Sequence, residues 1–375
     1  MTSSLVALML AIGAPPQPAR VPSEAIKTPA ALAERFEVLS RFSFAANRLG
    51  QSFTVGADGK LLYFTEGRGS ESVYDLMAMS IGGGAPYRVV ALCGPDSPLP
   101  GNDHCEDSDF HLESVPGDPS RLVVAVGEVG RCCKAVSLLN LATDTARSMD
   151  LGVSPRHALL QEQGISPNLR ASLRSASPSG RYVLTDLWVY DASGVYDDEY
   201  FAIFSLETGR REFMFRRPTA LGPHEVWDAE GKTRQVVGEQ EAQVGWWDAW
   251  WLPSDILVLR HRGGSGENIL GVQAFQRDGS GTWRAVTPAS YERRPGWSHT
   301  PSQESAVGNY ALVGRDPSGQ GGYVIDGSGL FGSDSGLIYV IEFEGKAIVL
   351  KVRRSGIESR VEGIVLKRRS APAVS

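Results

Sequence analysis

Residues 51–90 read QSFTVGADGKLLYFTEGRGSESVYDLMAMSIGGGAPYRVV, and their punctuation decides the fold class. Asp58-Gly59 is a tight-turn signal, because both residues tolerate the positive φ that a hairpin demands. The apolar run Leu61-Leu62-Tyr63-Phe64 then fits a strand buried on both faces. SVYDLMAMS alternates, with Val73, Asp75, Met77 and Met79 on one side. Gly82-Gly83-Gly84-Ala85-Pro86 is a second turn, and YRVVAL reads as a fourth strand. Four strands in about forty residues is the size of one propeller blade.

Working outward, the same turn followed by an apolar run recurs as PGDPSRLVVAV, ASPSGRYVLT, LPSDILVLR and SAVGNYALVG. The residues two before each run are Gly59, Ser120, Gly180, Ser254 and Gly308, at intervals of 61, 60, 74 and 54. Each run is followed by a third-strand unit: SVYDLMAMS, KAVSLLNLA, EYFAIFSLETG, ENILGVQAFQRDG and GGYVIDGSG. The closing stretch SDSGLIYVIEF, KAIVLKVRRSG and EGIVLK is either a sixth blade or the outer strands of the fifth. The longest interval contains EVWDAEGKTRQVV, an inserted hairpin. No helical pattern separates the strands, which argues against a parallel α/β sheet. The expectation is an all-β chain, a β-propeller of five or six four-stranded blades over residues 49–370, with a tail at 371–375.

The repeat resembles the WD40-like repeat in the propeller domain of TolB-type periplasmic proteins. FTVGADGKLLYFTEGRGSESVYDLMAMSIGGGAPYRVV carries the resemblance over residues 53–90, and ASPSGRYVLT over 176–185. The remaining copies match in pattern alone. The resemblance implies a propeller in an exported protein. It implies no activity, since a fold hosts many functions. The α/β domain that precedes the propeller in TolB itself has no counterpart here.

Forty-two glycines, 22 prolines and 42% hydrophobic residues in 375 fit many short strands with many turns. The formal charge of −6 and the lack of a basic stripe with interleaved aromatics exclude nucleic acid as an expected partner. The N-terminal run from Leu5 to Ala14 is about half the roughly 20 residues of a membrane span. With small residues at Ala11 and Gly13 it reads as a secretory signal peptide over 1–19, although the first basic residue is Arg20. A periplasmic or secreted location is therefore expected, with no transmembrane segment after removal of the signal. Residues 20–48 read as linker and helix, with Thr28-Pro29 as cap and first turn. The competing reading makes FEVLSRFSFA a strand that pairs with the end of the chain.

Cys93, Cys105, Cys132 and Cys133 form an even set within one short segment, which suggests two disulfides with three open pairings. Neighbours in a strand point to opposite faces, so Cys132 and Cys133 are not expected to pair together. Between the cysteines lies GNDHCEDSDFH, with Asp103, His104, Glu106, Asp107, Asp109 and His111. Its oxygens could wrap a hard cation such as Ca²⁺, and its histidines could serve a transition metal. A solvated loop is the blander account, and no cofactor is expected. Asp197, Asp198 and Glu199 read as a charged hairpin tip between the second and third strands of unit three. GWWDAWWLP places Trp246, Asp248 and Trp250 on one strand face and Trp247 and Trp251 on the other. The four tryptophans are candidates for a sugar-stacking platform, with packing between blades as the simpler account. His157, His224, His261 and His299 are dispersed. G-x-S-x-G, P-loop, strand-coupled G-x-G-x-x-G and H-E-x-x-H motifs are absent. The functional expectation is a scaffold that binds a protein, a polysaccharide or another ligand. The alternative is a propeller enzyme, a metal-assisted carbohydrate lyase or hydrolase with its site at the central channel.

Overall fold

A computed structural model describes Ile26 and residues 28–50, 52–68, 73–100, 108–128, 133–151, 168–190, 196–217, 224–227, 234–237, 245–263, 269–291, 306–307, 310–313, 323–332 and 336–369. The first element is helix α1 (Pro29–Arg35), with Pro at its start and the Thr28 Oγ1 accepting from the Ala31 N–H at 3.2 Å. It is followed directly by strand β1 (Phe36–Asn47). The stretch open to both helix and strand is thus divided at Phe36. The β-branched and aromatic residues fall on the strand side of that point.

Four successive antiparallel meanders follow. The first is β2 (Phe53–Val55), β3 (Leu61–Arg68), β4 (Val73–Ser80) and β5 (Tyr87–Ala91). The second is β6 (Ser108–Val115), β7 (Asp118–Glu128), β8 (Cys133–Asn140) and β9 (Thr145–Ser148). The third is β10 (Asn168–Ala176), β11 (Tyr182–Tyr190), β12 (Tyr196–Ser205) and β13 (Arg211–Arg217). The inserted hairpin, β14 (His224–Trp227) and β15 (Arg234–Val237), extends its outer edge. The Ala171–Cys133 pair and the Asp150–Arg210 bridge join the second and third meanders by backbone. The fourth is β16 (Gly245–Leu252), β17 (Ile256–Gly263), β18 (Ile269–Arg277) and β19 (Trp283–Val286). A three-stranded set comes next, β20 (Ala306–Val307), β21 (Tyr310–Val313) and β22 (Tyr323–Asp326), then helix α2 (Gly327–Phe331).

The last sheet joins both ends of the chain. β23 (Leu337–Phe343), β24 (Lys346–Ser355) and β25 (Glu358–Arg368) run as a meander, and β1 pairs antiparallel with β25 from Phe36–Arg368 to Asn47–Glu358. The closing residues therefore form their own sheet, with β1 as its outer strand.

Alternation along each strand explains how the sheets stack. Leu62 and Phe64 pack with Phe44, Phe343 and Leu350 of the closing sheet, whereas Tyr63 between them packs with Phe110, Leu122 and Val124 of the second meander. Val123 and Ala125 face Val183 and Ala202 of the third. Leu184, Phe201 and Phe213 meet Trp251, Leu257 and Phe275 of the fourth. The other face of the closing sheet, with Val340, Val349 and Ile364, covers Ile325 of the three-stranded set together with Leu32 and Phe36. Sheets used on both faces, in chain order, with the last sheet against the first, make a β-propeller. This is why LLYF-type runs carry no polar alternation: both faces of the strand are interior.

Two further features fix the geometry. The first strands of neighbouring meanders lie together, β2 against β6 and β23, and β6 against β10, so they form the inner ring. The turns between first and second strands form an annulus on one face. Gly59 (φ 66) lies against Phe343 and Glu344, and Gly180 (φ 67) against Pro116. In the fourth meander, buried Asp255 accepts from the Ser179 N–H at 3.0 Å, the Ser179 hydroxyl at 2.5 Å and Arg181 Nη2 at 3.0 Å. Antiparallel order puts the turns between second and third strands on the opposite face.

Candidate functional site

The inner ring is the natural place to look for convergent chemistry. Several of its described polar groups join neighbouring sheets. Ser52 Oγ accepts from the Leu112 N–H at 2.8 Å, and Thr54 Oγ1 from the Ser114 N–H at 3.2 Å. Buried Glu113 accepts from the Ala176 N–H at 3.2 Å through Oε1, and Trp251 Nε1 donates to the Ser175 carbonyl at 3.3 Å. Each bond ties a first strand to the next one, 60 to 76 residues along the chain. The repeat interval in the sequence is thus the interval between inter-sheet joints.

The acidic stretch touches this ring at one point. Asp103, His104, Glu106 and Asp107 lie outside the described residues. Asp109 and His111 belong to β6, opposite Gly127 and Ala125. His111 is half-buried. It stands two residues before Glu113, on the strand face opposite Phe110 and Leu112, which pack toward the first meander. Among the described residues no group of three or more His, Cys, Asp and Glu could hold a metal. Cys93 is buried at the end of the first meander and is engaged in a disulfide. Cys105 and Cys132 lie outside the described residues, as does the side chain of Cys133, which opens β8.

The charged tip is placed differently from its expectation, whereas Trp250 and Trp251 lie on opposite strand faces as their spacing predicts. Asp197, Asp198 and Glu199 are no hairpin tip: they lie within β12, with Asp198 opposite Val189 and Glu199 opposite Trp188. Pairing of β12 with β11 takes them into the ladder. Trp250 and Trp251 are buried on opposite faces of β16, in separate clusters, and so make no shared exposed platform. Strand alternation forces that separation. Trp246 and Trp247 lie in the same strand, but their side chains are outside the described residues.

Ion pairs inside the sheets engage several charged side chains. Buried Asp75 receives Arg68 through both its oxygens, with Arg68 Nη2 at 2.6 Å, and Arg88 Nε at 3.0 Å. The hydrogen bond to Asp75 raises the Arg68 guanidinium above its ordinary value. Arg174 Nε donates to buried Asp186 at 2.5 Å. Arg260 reaches Asp248 at 2.6 and 3.0 Å and lies 4.8 Å over the Trp250 ring. At the annulus, burial pushes the Asp118 carboxyl up, but bonds from Ser120 and Arg121 outweigh it and hold the group below its ordinary value.

A cleft missing from the sequence reading opens on the closing sheet. It has a volume of about 430 Å³ and lies where β1, β24 and β25 meet, at the β24–β25 turn. Arg353, Arg354 and Arg360 line it, with Ser43, Ser355 and Glu358. Arg353 and Arg360 stand directly opposite each other across β24 and β25. Like charges so placed repel. Glu362 answers both, at 3.2 Å from Arg353 Nη2 and 3.5 Å from Arg360 Nε. Arg354 Nη2 donates to the Leu49 carbonyl at 3.3 Å. The signal in the sequence was the Arg353-Arg354 pair beside Ser355-Gly356, an abrupt basic turn after an apolar strand. The cleft is on the face opposite the annulus.

No family model and no curated protein matches the chain, so the TolB-type resemblance stays at the level of the repeat. Solved structures similar to it include an oligogalacturonate lyase in complex with manganese, with 9% identity over 86% of this chain and 90% of that one, at a TM-score of 0.38. The polysaccharide lyase Uly1 shares 12% over 85% of this chain and 90% of its own, at 0.36. The β-propeller domain of the Trilobed protease from Pyrococcus furiosus shares 11% over 88% and 96%, at 0.34. Similarity this low says nothing about activity, and the propeller assignment stands on the stacked sheets themselves.

Proposed function

We propose that the protein is an exported propeller that acts as a binding scaffold for a protein or other ligand. The observation that carries this reading is the use of inner-ring polar groups as joints. Ser52, Thr54, Glu113 and the Ser175 carbonyl stiffen the ring, leaving recognition to the face that bears the β24–β25 turn and the Cys93 connection. A rigid frame with binding elements on its connections is the usual division of labour. Export is read from the N-terminal apolar run and the clustered cysteines. The test is to express the full chain, sequence the N-terminus of the exported protein, and incubate it with acidic and neutral polysaccharides. A mature chain starting near residue 20, with retention on a ligand that stays intact, supports the reading. A chain kept in the cytoplasm, or a ligand that is cut, overturns it.

One observation favours the enzyme alternative. His111 and Glu113 share a face of an inner strand that emerges from the acidic connection. That reading requires a metal held by the connection and depolymerisation of a polysaccharide. Elemental analysis of purified protein that finds no stoichiometric metal counts against it.

A further inference from the structure

We propose that the outer edge of β22 is a strand-accepting site and that residues 24–27 of the same chain fill it, parallel to β22, as the fourth strand of the fifth sheet. The inference goes beyond the scaffold reading and does not depend on it. Among the described residues the sheet of β20, β21 and β22 has three strands, whereas the sheets before and after it have four. Its outer strand meets the segment that precedes α1. Ile26 and Ile325 form a parallel bridge, and the Asp326 N–H donates to the Ile26 carbonyl at 2.9 Å. Both isoleucines are buried, and they share a cluster with Leu32, Phe36 and Ile338. Main-chain bonding to an edge, with a side chain seated on one face, is how a strand is added to a sheet.

The bridge fixes the register. Parallel pairing through Ile26 and Ile325 sets Ala25 beside Val324, Glu24 beside Tyr323 and Lys27 beside Asp326. Residues 24–27 thus match β22 (Tyr323–Asp326) from end to end. The charges agree with this register. Lys27 meets an acid, and Glu24 meets the place where Arg35 and Arg368 lie 5.6 and 5.5 Å over the Tyr323 ring. Opposite charges on neighbouring strands favour one pairing over its slipped alternatives. The sequence also bounds the strand. Ile26 turns its carbonyl to β22, so its N–H faces the same way, and Pro22 has the same parity but no N–H to offer. On the other side Thr28 caps α1. That helix is held on the closing sheet: Arg369 Nε donates to the Ala33 carbonyl at 2.9 Å, and the Arg369 N–H to the Arg35 carbonyl at 3.0 Å. The chain that leads into it is thereby delivered to the edge of β22. Filling that edge from within also removes an open strand that would pair with other chains.

The test is residue-resolved hydrogen exchange of the full chain, joined to thermal unfolding of three variants. A strand with one neighbour has alternate amides protected. The Ile26, Val324 and Asp326 amides are expected to exchange about tenfold or more slower than those of Ala25 and Lys27. Ile26→Ala removes the side chain alone, and Ile26→Pro also removes the N–H that faces β22. Ile26→Pro is expected to lower the melting temperature further than Ile26→Ala and to speed exchange at Asp326. Ala25→Pro removes an N–H that faces away from the sheet, and is expected to leave both readings unchanged. The three variants together separate a strand from the burial of one side chain. Equal exchange along residues 24–27, or equal losses from Ala25→Pro and Ile26→Pro, would overturn the proposal. So would protection that appears only as protein concentration rises, because the strand would then come from a second copy. If a variant fails to fold, the alternation of rates in the unsubstituted chain still decides the matter.

Discussion

The hydroxyl of Ser52, immediately before the innermost strand of one sheet, accepts a hydrogen bond at 2.8 Å from the backbone N–H of Leu112, on the innermost strand of the next. Both residues are buried. The bond links two sheets that share no backbone ladder at this point. Removing its acceptor strands a buried N–H, which costs about 1–3 kcal/mol. Ser52→Ala is therefore expected to lower the denaturation midpoint by that free energy. The slope of the transition stays unchanged, because the surface exposed on unfolding is the same.

Gly59 and Gly180 occupy corresponding turns with nearly equal φ, 66° and 67°. Their surroundings differ. A Cβ at Gly59 would sit 3.2 Å from the side chains of Glu344 and Phe343, whereas one at Gly180 would sit 2.3 Å from the Pro116 carbonyl oxygen. The backbone strain is shared, and only the second clash involves rigid main chain. Gly180→Ala is expected to destabilise more than Gly59→Ala, by at least about 1 kcal/mol, the scale of overpacking. Parallel urea titrations read the difference. Equal losses would show that the annulus can yield at Pro116.

Tyr63 is buried in the first meander, and its phenol is pushed up to about 12 by that burial, with Tyr87 and Asp58 adding to the effect. A free tyrosine ionises near pH 10. Between these values the unfolded chain gives up a proton that the folded chain keeps. Stability from this group is full below about pH 10 and declines as pH rises toward 12. Absorbance titration should show one late tyrosinate step that disappears in Tyr63→Phe. A variant that keeps the late step would assign it to another residue.

β1 closes the ring by pairing with β25 along its length. A chain starting at residue 48 loses that partner and exposes the β25 edge and the Phe343–Leu350 face. Open, long edges pair with other chains. The truncated chain is expected to aggregate or to unfold without a single cooperative transition. Light scattering and calorimetry check this. A monomer with the full-length melting temperature would mean that β1 is dispensable.

The sequence by itself determined the meander and its repeat. Asp58-Gly59 and Ser179-Gly180 write turns locally, and runs such as LLYF and YVLT report interiors on both sides. It also contained the inserted hairpin and the opposite faces of Trp250 and Trp251, because a strand's period of two is a local property. Tertiary structure alone decided the rest. FEVLSRFSFA becomes a strand because β25 offers an open edge more than 300 residues away, and local propensity does not encode that partner. Asp197 to Glu199 joined β12 because β11 was there to pair with them. The cleft on the closing sheet exists only where β1 meets the β24–β25 hairpin. Arg354 finds the Leu49 carbonyl, far off in the chain, because closure of the ring brings it there.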